Sequence, residues 1–352
     1  MSVARLKWLI SQGRPVVGLN LAGADISGLT AQRVAFSNCD FSRANLQGLA
    51  AERASFHNCI FREANINAAR LERAVFISCS MDNCRLEEAG LLRAVLHACS
   101  LEGASLRGAE LTRAAMHECK LVNVDMAGAK LHRLSVVGGQ FKGVNLAGAG
   151  LGKVVFQGLK LSSCNLGQAP NLAQAVLMKA DLSGMDLSGA DLTAAQLNEA
   201  LLEGAALQGA VMNQMVAVGA RFTGAVMRGA KAAMAILEKA DLARVQAQEI
   251  VLERAVMRGA NLQGANFDHA RMSMAQMAGA NCTQARFTGA EMRYVDLSRA
   301  LLSGTVLDEA DLRRARLHCV DKSGASWQGA DTTGAEGDDP ALKEAEQWTP
   351  PV

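Results

Sequence analysis

The sequence is poor in aromatic residues and in net charge. Phe, Trp and Tyr make up 4% of the 352 residues, although half of all residues are hydrophobic. The apolar volume is therefore divided among small side chains, and a bulky globular core is not expected. The 36 basic and 34 acidic side chains leave a net charge of +2, which excludes a uniformly charged nucleic-acid-binding surface. A chain this apolar can bury enough surface to fold.

Signals for export, membrane insertion and disulfide formation are also missing. The segment from Met1 to Gly18 carries Arg5, Lys7 and Arg14 around a short apolar stretch, which is too broken for a signal peptide. The longest charge-free tract, residues 204–220, is interrupted by Gln and Asn and does not predict a membrane span. Nine cysteines, an odd number, argue against a disulfide framework. We expect a cytoplasmic protein, unless it is exported without a recognisable signal.

Large apolar residues recur at every fifth position. From Leu21 to Leu166 they occupy 28 of 30 such positions, and after Pro170 the phase moves by one residue. From Leu172 to Leu317 they occupy 26 of 30, and all ten phenylalanines lie in this phase. Ala, Cys or Val usually stands two residues before each large one, so two positions in five point inward. Neither the helical period of 3.6 nor the strand period of 2 explains this pattern.

A second and longer period, equal to four pentapeptides, lies over the first. One column of equally spaced residues is cationic, and another consists of cysteines. The cationic column is Arg33, Arg53, Arg73, Arg93, Arg113, Arg133 and Lys153, and the cysteine column is Cys39, Cys59, Cys79, Cys99 and Cys119. Four pentapeptides therefore form one layer, and stacked layers of this kind are typical of a solenoid with hydrogen bonds between coils. In this phase the cysteines point inward as small hydrophobic residues, and the cations point outward.

Individual repeats read small residue, Asp or Asn, Leu, then two outward residues, as in Ala180-Asp181-Leu182-Ser183-Gly184 and Ala260-Asn261-Leu262. This pattern, sustained over residues 16–335, resembles the pentapeptide-repeat family. The resemblance implies an all-β fold, a right-handed quadrilateral β-helix. Coils of about 20 residues, spaced about 4.8 Å apart, predict about 16 coils and a rod roughly 75 Å long, too narrow inside for a ligand pocket.

Short segments without the repeat flank the solenoid. We predict an N-terminal capping helix within residues 1–15, with Leu6, Leu9 and Ile10 on one side, because an uncovered first coil would present an unpaired edge. Residues 336–352 form an acidic tail with a short helix. That helix either caps the solenoid, closes a homodimer through this end, or stays mobile.

Two local features refine these boundaries. Asp338 or Asp339 is suited to cap the C-terminal helix, with Pro340 in its first turn. The one-residue phase slip at residues 168–171 contains Pro170, which cannot donate to an intercoil ladder. The slip is interpreted either as a bulged corner in one continuous solenoid, which we favour, or as a break between two stacks.

Two motifs look functional but conflict with the repeat phase. Residues 148–153 resemble a phosphate-binding loop, yet the spacing differs and Val154 replaces the metal-binding hydroxyl. His57, His97 and His117 each precede a column cysteine by two residues, but histidine and cysteine point in opposite directions, so one ion cannot bind both. We predict no metal site and no cofactor. Without an activated nucleophile or paired carboxylates, catalysis is not expected either.

The cationic column is the candidate binding site. Residues 1–170 carry 19 basic and 12 acidic side chains, a net charge of +7, whereas residues 171–352 have a net charge of −5. Stacked like charges repel. The column is either a by-product of repeat duplication, relieved by water and by Glu52, Glu63 and Glu72, or a docking face for an acidic protein surface. A phosphate backbone fits less well, because the column has no aromatic residues for base stacking.

The resemblance implies three functions. The first is a non-enzymatic scaffold or adaptor that docks partner proteins, similar to family members encoded beside type VI secretion spike genes and serving in effector loading there. The second is DNA mimicry directed at gyrase or topoisomerase, which needs carboxylates where this chain has arginines. The third is a secreted effector directed at a host.

Overall fold

The repeat forms a parallel β-solenoid in each of two compact units, Met1–Val176 and Leu177–Val352. This computed structural model describes residues 2–347. The stacked residues lie four pentapeptides apart, as in Asn20 with Asp40 in the first unit and Asp181 with Leu201 in the second, and every pairing is parallel. The all-β, β-helical fold class is thereby confirmed.

Regular strands occur only in the first unit, among the residues that the structure describes. Seven of them form one parallel sheet: β1 (Val16–Val17), β2 (Ala35–Ser37), β3 (Ser55–His57), β4 (Val75–Ile77), β5 (Val95–His97), β6 (Ala115–His117) and β8 (Ser135–Val137). Strand β7 (Lys120–Val122) pairs with β9 (Gln140–Lys142). The sheet spans about six turns, fewer than the 16 coils predicted, because most other coils are held by isolated bridges between single residues.

The core of each coil is built from the residues of the five-residue period. Phe36, Phe56 and Phe76 stack with ring centroids 4.9 and 4.8 Å apart, and Phe41 lies edge-on to Phe36 at 5.7 Å. All of these rings are buried, and most of the small residues two positions earlier are buried as well. Fully burying one such aromatic side chain contributes about 1.5–3 kcal/mol, so each coil is stabilised chiefly by its inward residues.

Helices lie at both termini. Helix α1 (Ser2–Ser11) lies within the predicted N-terminal segment, and its Leu6 is fully buried. Helix α2 (Pro340–Gln347) follows the last repeats, and Asp339 Oδ1 accepts a hydrogen bond of 2.9 Å from the Ala341 N–H. Neither is long and apolar enough to cross a bilayer, nor is any other helix of the described region.

The phase slip lies inside the first unit. Ser135 stacks on Val155, and Val155 in turn stacks on Val176, so the second step is one residue longer than the first. The longer coil contains a 3₁₀ turn, Leu161–Ser163, and Ala169 adopts a φ of +43° directly before Pro170. One additional residue is therefore accommodated in this coil.

Candidate protein-docking surface

The cationic column occupies one corner of successive coils in the first unit. Its seven residues adopt left-handed backbone conformations, with φ between 57° and 61°. Each backbone N–H donates to a carbonyl of the next coil, as from Arg73 to Leu92 (2.9 Å) and from Arg93 to Thr112 (3.1 Å). Because the same hydrogen bond recurs in register, the corners lie above one another, and their side chains form one continuous outward column.

The column is exposed and lacks counter-ions. Its six arginines are exposed, and Lys153 is half-buried. Within residues 2–347, no carboxylate lies within 4.0 Å of any of the seven cationic groups. The positive charge is therefore presented to solvent.

The acids expected to relieve the repulsion do not pair with the column. Glu52 Oε1 lies 3.0 Å from Nε of Arg70, an arginine outside the column. Glu63 and Glu72 form no ion pair with a cation of the described region. Relief of repulsion in this column is thus left to water and dissolved ions.

The cysteine column points inward. All five thiols are buried, and each donates to a backbone carbonyl, as from Cys79 Sγ to the Phe56 oxygen at 3.3 Å. No disulfide links them. Hydrogen bonding with the thiols of Cys59 and Cys99, together with burial, raises the pKa of Cys79. Cys79 is therefore a protonated thiol that packs as a small hydrophobic residue.

The histidine–cysteine motif and the motif that resembles a phosphate-binding loop both follow the phase of the repeat. His97 and His117 lie side by side on the paired strands β5 and β6, and they point away from the buried cysteines two residues later. In the loop at residues 148–153, Leu151 is fully buried, and Lys153 is the last corner of the cationic column. The next helical element after this loop in the described region is the short 3₁₀ turn Leu161–Ser163, so no α-helix presents its N-terminus to a phosphate there.

Sequence comparisons match the same repeats. A family profile described as "Pentapeptide repeats (8 copies)" matches residues 20–58, 156–193, 195–231, 235–273 and 280–318, and one described as "Pentapeptide repeat region" matches residues 49–126. Together these cover more than half of the chain. The chain belongs to the pentapeptide-repeat family. A comparison with curated proteins gave no match.

Solved structures of other pentapeptide-repeat proteins also match this chain. HetL, involved in regulating heterocyst differentiation in the cyanobacterium Nostoc, is 22% identical, with 95% of this chain and 96% of HetL covered and a TM-score of 0.19. A trypsin-treated form of QnrB1, a plasmid-mediated fluoroquinolone resistance protein, is 14% identical over 95% and 96%, with a TM-score of 0.16. A thylakoid-lumen protein of Arabidopsis thaliana is 30% identical over 32% and 68%, with a TM-score of 0.15.

One polar cluster at the end of the pentapeptide-repeat region was missed by sequence reasoning. His318, Cys319 and Asp338 place one ligand atom each within 4.8 Å of one another. The sequence did contain a sign of this cluster, because Asp338 follows His318 and Cys319 by about one coil and is therefore expected to stack near them. His318 Nδ1 accepts a 3.0 Å hydrogen bond from the Asp339 N–H, so a neutral ring carries its proton on Nε2, which lies 3.4 Å from Cys319 Sγ. In this arrangement neither ring nitrogen has a free lone pair for a metal ion.

Proposed function

We propose that this pentapeptide-repeat protein is a non-enzymatic interaction scaffold that docks an acidic protein surface on its cationic column. The observation that carries the proposal is the run of seven consecutive corner cations without a carboxylate partner in the described region. Arginine suits this task, because its planar guanidinium forms paired hydrogen bonds with carboxylates. The arginines of the column repel one another in the free protein. A partner with several carboxylates would relieve that repulsion on binding.

Folding alone does not explain seven cations at these corners. A left-handed conformation costs a residue other than glycine about 1–2 kcal/mol. Other corners of the same unit carry glycine at a similar φ, such as Gly103 (66°) and Gly148 (68°). Glycine would satisfy the turn without strain and without charge. Other corners of the unit, such as Glu63 and Glu88, also carry residues other than glycine, so the strain is not specific to this column. Its specific cost is the stacking of seven like charges, which favours an external role over a structural one.

The interior offers little room for a competing site. An internal cavity beside Met212, Met215 and Phe267 has a volume of about 10 Å³, at the lower limit for a single water molecule. DNA mimicry directed at gyrase fits the charge poorly, since such a surface requires carboxylates in place of the arginines. A role in type VI effector loading is a more specific version of the same scaffold proposal, and it is supported only by the resemblance to family members encoded beside type VI secretion genes. The identity of the neighbouring genes would test that form.

The proposal is tested by neutralising the centre of the column. The variant Arg73→Gln/Arg93→Gln/Arg113→Gln is compared with Arg5→Gln/Lys7→Gln/Arg43→Gln, which removes the same charge from exposed positions of the same unit. Poly-L-glutamate serves as the acidic probe, and duplex DNA serves as the phosphate probe. Titrations at 50 and 300 mM NaCl measure both affinity and its salt dependence.

We expect only the column variant to bind poly-L-glutamate at least about tenfold more weakly, with a reduced salt dependence. Affinity capture from lysate with the same three proteins then identifies the natural partner by mass spectrometry. Equal loss in both variants would show a general effect of net charge and would contradict the proposal. Tighter binding of DNA than of poly-L-glutamate would favour a phosphate ligand instead.

A further inference from the structure

A second exposed column lies in the other unit. It consists of five residues, each four pentapeptides after the last, which we call the mixed column: Met234, Arg254, Met274, Tyr294 and Arg314. All five are exposed and have left-handed φ values between 57° and 62°. Each N–H donates to the next coil, as from Met274 to the Arg293 carbonyl and from Tyr294 to the Arg313 carbonyl. The five side chains therefore project from one corner of successive coils.

Folding does not require these side chains. A corner column two pentapeptides away in the same unit is mostly glycine, including Gly184, Gly204, Gly224, Gly264 and Gly304, with φ between 64° and 69°. Glycine is therefore accommodated at such corners without strain. In the mixed column, Met234, Met274 and Tyr294 instead each expose 46% of their surface. Large exposed apolar side chains that recur along one corner favour a contact surface.

The charges of the mixed column are also unneutralised. Arg254 forms no ion pair within the described region. Arg314 stacks on the Tyr294 ring at 5.6 Å and donates to its hydroxyl oxygen at 3.0 Å, but it contacts no carboxylate there. The acid beside Arg254 is already engaged, since Glu253 Oε1 lies 2.5 Å from Arg271 Nη2. A complementary ligand would carry acids opposite the two arginines and apolar groups opposite the other three residues.

The spacing between successive residues of the mixed column indicates whether that ligand is helical or extended. Successive coils are about 4.8 Å apart. One turn of an α-helix rises about 5.4 Å, so a helix lying along the column drifts by only about 2 Å over four steps, which is within the reach of long side chains such as methionine and arginine. Same-face residues of an extended strand are about 6.7 Å apart and would be about 8 Å out of register after the same four steps.

We propose that the mixed column binds an amphipathic α-helix of a partner protein. Its facing side carries apolar residues against Met234, Met274 and Tyr294, and carboxylates against Arg254 and Arg314. About 15 residues of helix span the column. The mixed column shares no residue with the cationic column and depends on helical apolar contacts as well as on charge, so either proposal stands if the other fails.

The probes are synthetic helices long enough to span the column, about 15 residues each, held helical by side-chain lactam staples on the far side. One peptide carries Leu, Glu, Leu, Leu and Glu at positions 1, 5, 8, 12 and 15, and a second carries the reversed order, to allow either chain direction. A control peptide has both facing glutamates replaced by lysine. Binding to the full chain is measured by fluorescence anisotropy at 50 and 500 mM NaCl.

Two variants test the column, and one serves as a matched control. Met234→Gly/Met274→Gly/Tyr294→Gly removes the apolar contacts, and Arg254→Gln/Arg314→Gln removes the charges. The control variant Arg244→Gly/Gln284→Gly changes exposed left-handed corners of the mostly glycine column, two pentapeptides away. All three variants should unfold at or above the wild-type temperature, because glycine relieves strain at these corners and glutamine keeps the backbone unchanged.

We expect one of the acidic peptides to bind, with affinity at least about tenfold lower in the apolar variant and unchanged in the control variant. The charge variant should lose most of the salt dependence. Absence of binding at 1 mM peptide, or equal binding of the lysine peptide, would overturn the proposal. So would self-association of the wild-type chain that the apolar variant abolishes in analytical ultracentrifugation, because a second copy would then occupy the column.

Discussion

At the scale of the residue, each position of the pentapeptide meets its own constraint. Inward positions must match the volume of the coil, and corner positions must adopt φ near +60°. The constraint on volume is strict, because the inward residues stack on equivalent positions above and below. The constraint at the corner is looser, since arginine, methionine and tyrosine are tolerated there beside glycine. Specificity in this fold is therefore expected at corners and stability at inward positions.

Phe76 tests the inward register. It is 1% exposed and stacks on Phe56 with ring centroids 4.8 Å apart. Phe76→Asp should lower the free energy of unfolding by more than about 4 kcal/mol, because a carboxylate would be buried without a partner. Phe76→Leu, which keeps an apolar group, should cost about 1–2 kcal/mol. Urea denaturation followed by circular dichroism measures both, and an unchanged midpoint for the aspartate variant would show that the register is wrong.

Gly139, which follows Cys119 by one coil in the cysteine column, tests a close approach between two coils. Its φ is +75°, and a β-carbon there would overlap the backbone of Cys119. Gly128 has a φ of +68° with open space around it, so Gly128→Ala reports the left-handed conformation alone, at about 1 kcal/mol. Gly139→Ala should cost at least about 2 kcal/mol more, since backbone must move. Equal melting temperatures for the two variants would contradict the close approach.

At the scale of the coil, polar side chains form ladders along the outer faces. Asn145 Nδ2 donates to Asp125 Oδ1 at 2.9 Å, and Asn165 donates to Asn145 Oδ1 in the same way. Arg293 and Arg313 bind Asp311 between them at 2.5 and 2.8 Å. Each of these contacts joins a residue to its own coil or an adjacent one. The outer faces thus reinforce the stacking that the backbone begins.

The cluster around Asp311 makes stability depend on pH. Hydrogen bonds from Arg313 and then Arg293 hold the pKa of Asp311 well below its usual range. A carboxyl with a lower pKa in the folded state contributes stability above about pH 4 and loses that contribution as the pH falls. Lowering the pH from 7 to 3 should therefore destabilise the wild type more than Asp311→Asn. Thermal melts across this range, with Glu238→Gln as control, should show the smaller pH dependence only in the asparagine variant.

Much of this organisation was predictable at the scale of the coil. The five-residue period places Leu and Phe inside because volume alone decides that position, and the period of four pentapeptides predicts which residues stack. The sequence did not show that Glu52 pairs with Arg70 rather than with the cationic column, because long side chains choose among several neighbours. Nor did it predict that regular strands would stop at β9, since strand and bridge differ only in small changes of dihedral angle.

At the scale of the whole molecule, charge is unevenly distributed along the sequence. Residues 1–170 have a net charge of +7 and residues 171–352 have a net charge of −5. The first unit contains the whole cationic column, so unfavourable electrostatics are concentrated there. Dissolved salt should reduce this cost, because the Debye length falls from about 14 Å at 50 mM to about 4 Å at 500 mM.

A salt series checks this distribution. Between 50 and 500 mM NaCl, the unfolding temperature of Arg73→Gln/Arg93→Gln/Arg113→Gln should rise less than that of the wild type, because part of the repulsion has been removed. The matched variant Arg5→Gln/Lys7→Gln/Arg43→Gln should respond as the wild type does. The same reduced response in both triple variants would mean that the repulsion is not located in the column.

Because each coil contains four pentapeptides, deletions can move the surface residues of each unit in a predictable way. Removing one whole coil, positions 95–114 for example, would shorten the cationic column by one member and bring Arg93 directly beneath Arg133. Removing a single pentapeptide would keep every inward position apolar, yet would shift all later columns by one face. The same protein could therefore keep its core while its docking residues are moved to a different side, and insertions or deletions in fives would change partners without changing the fold.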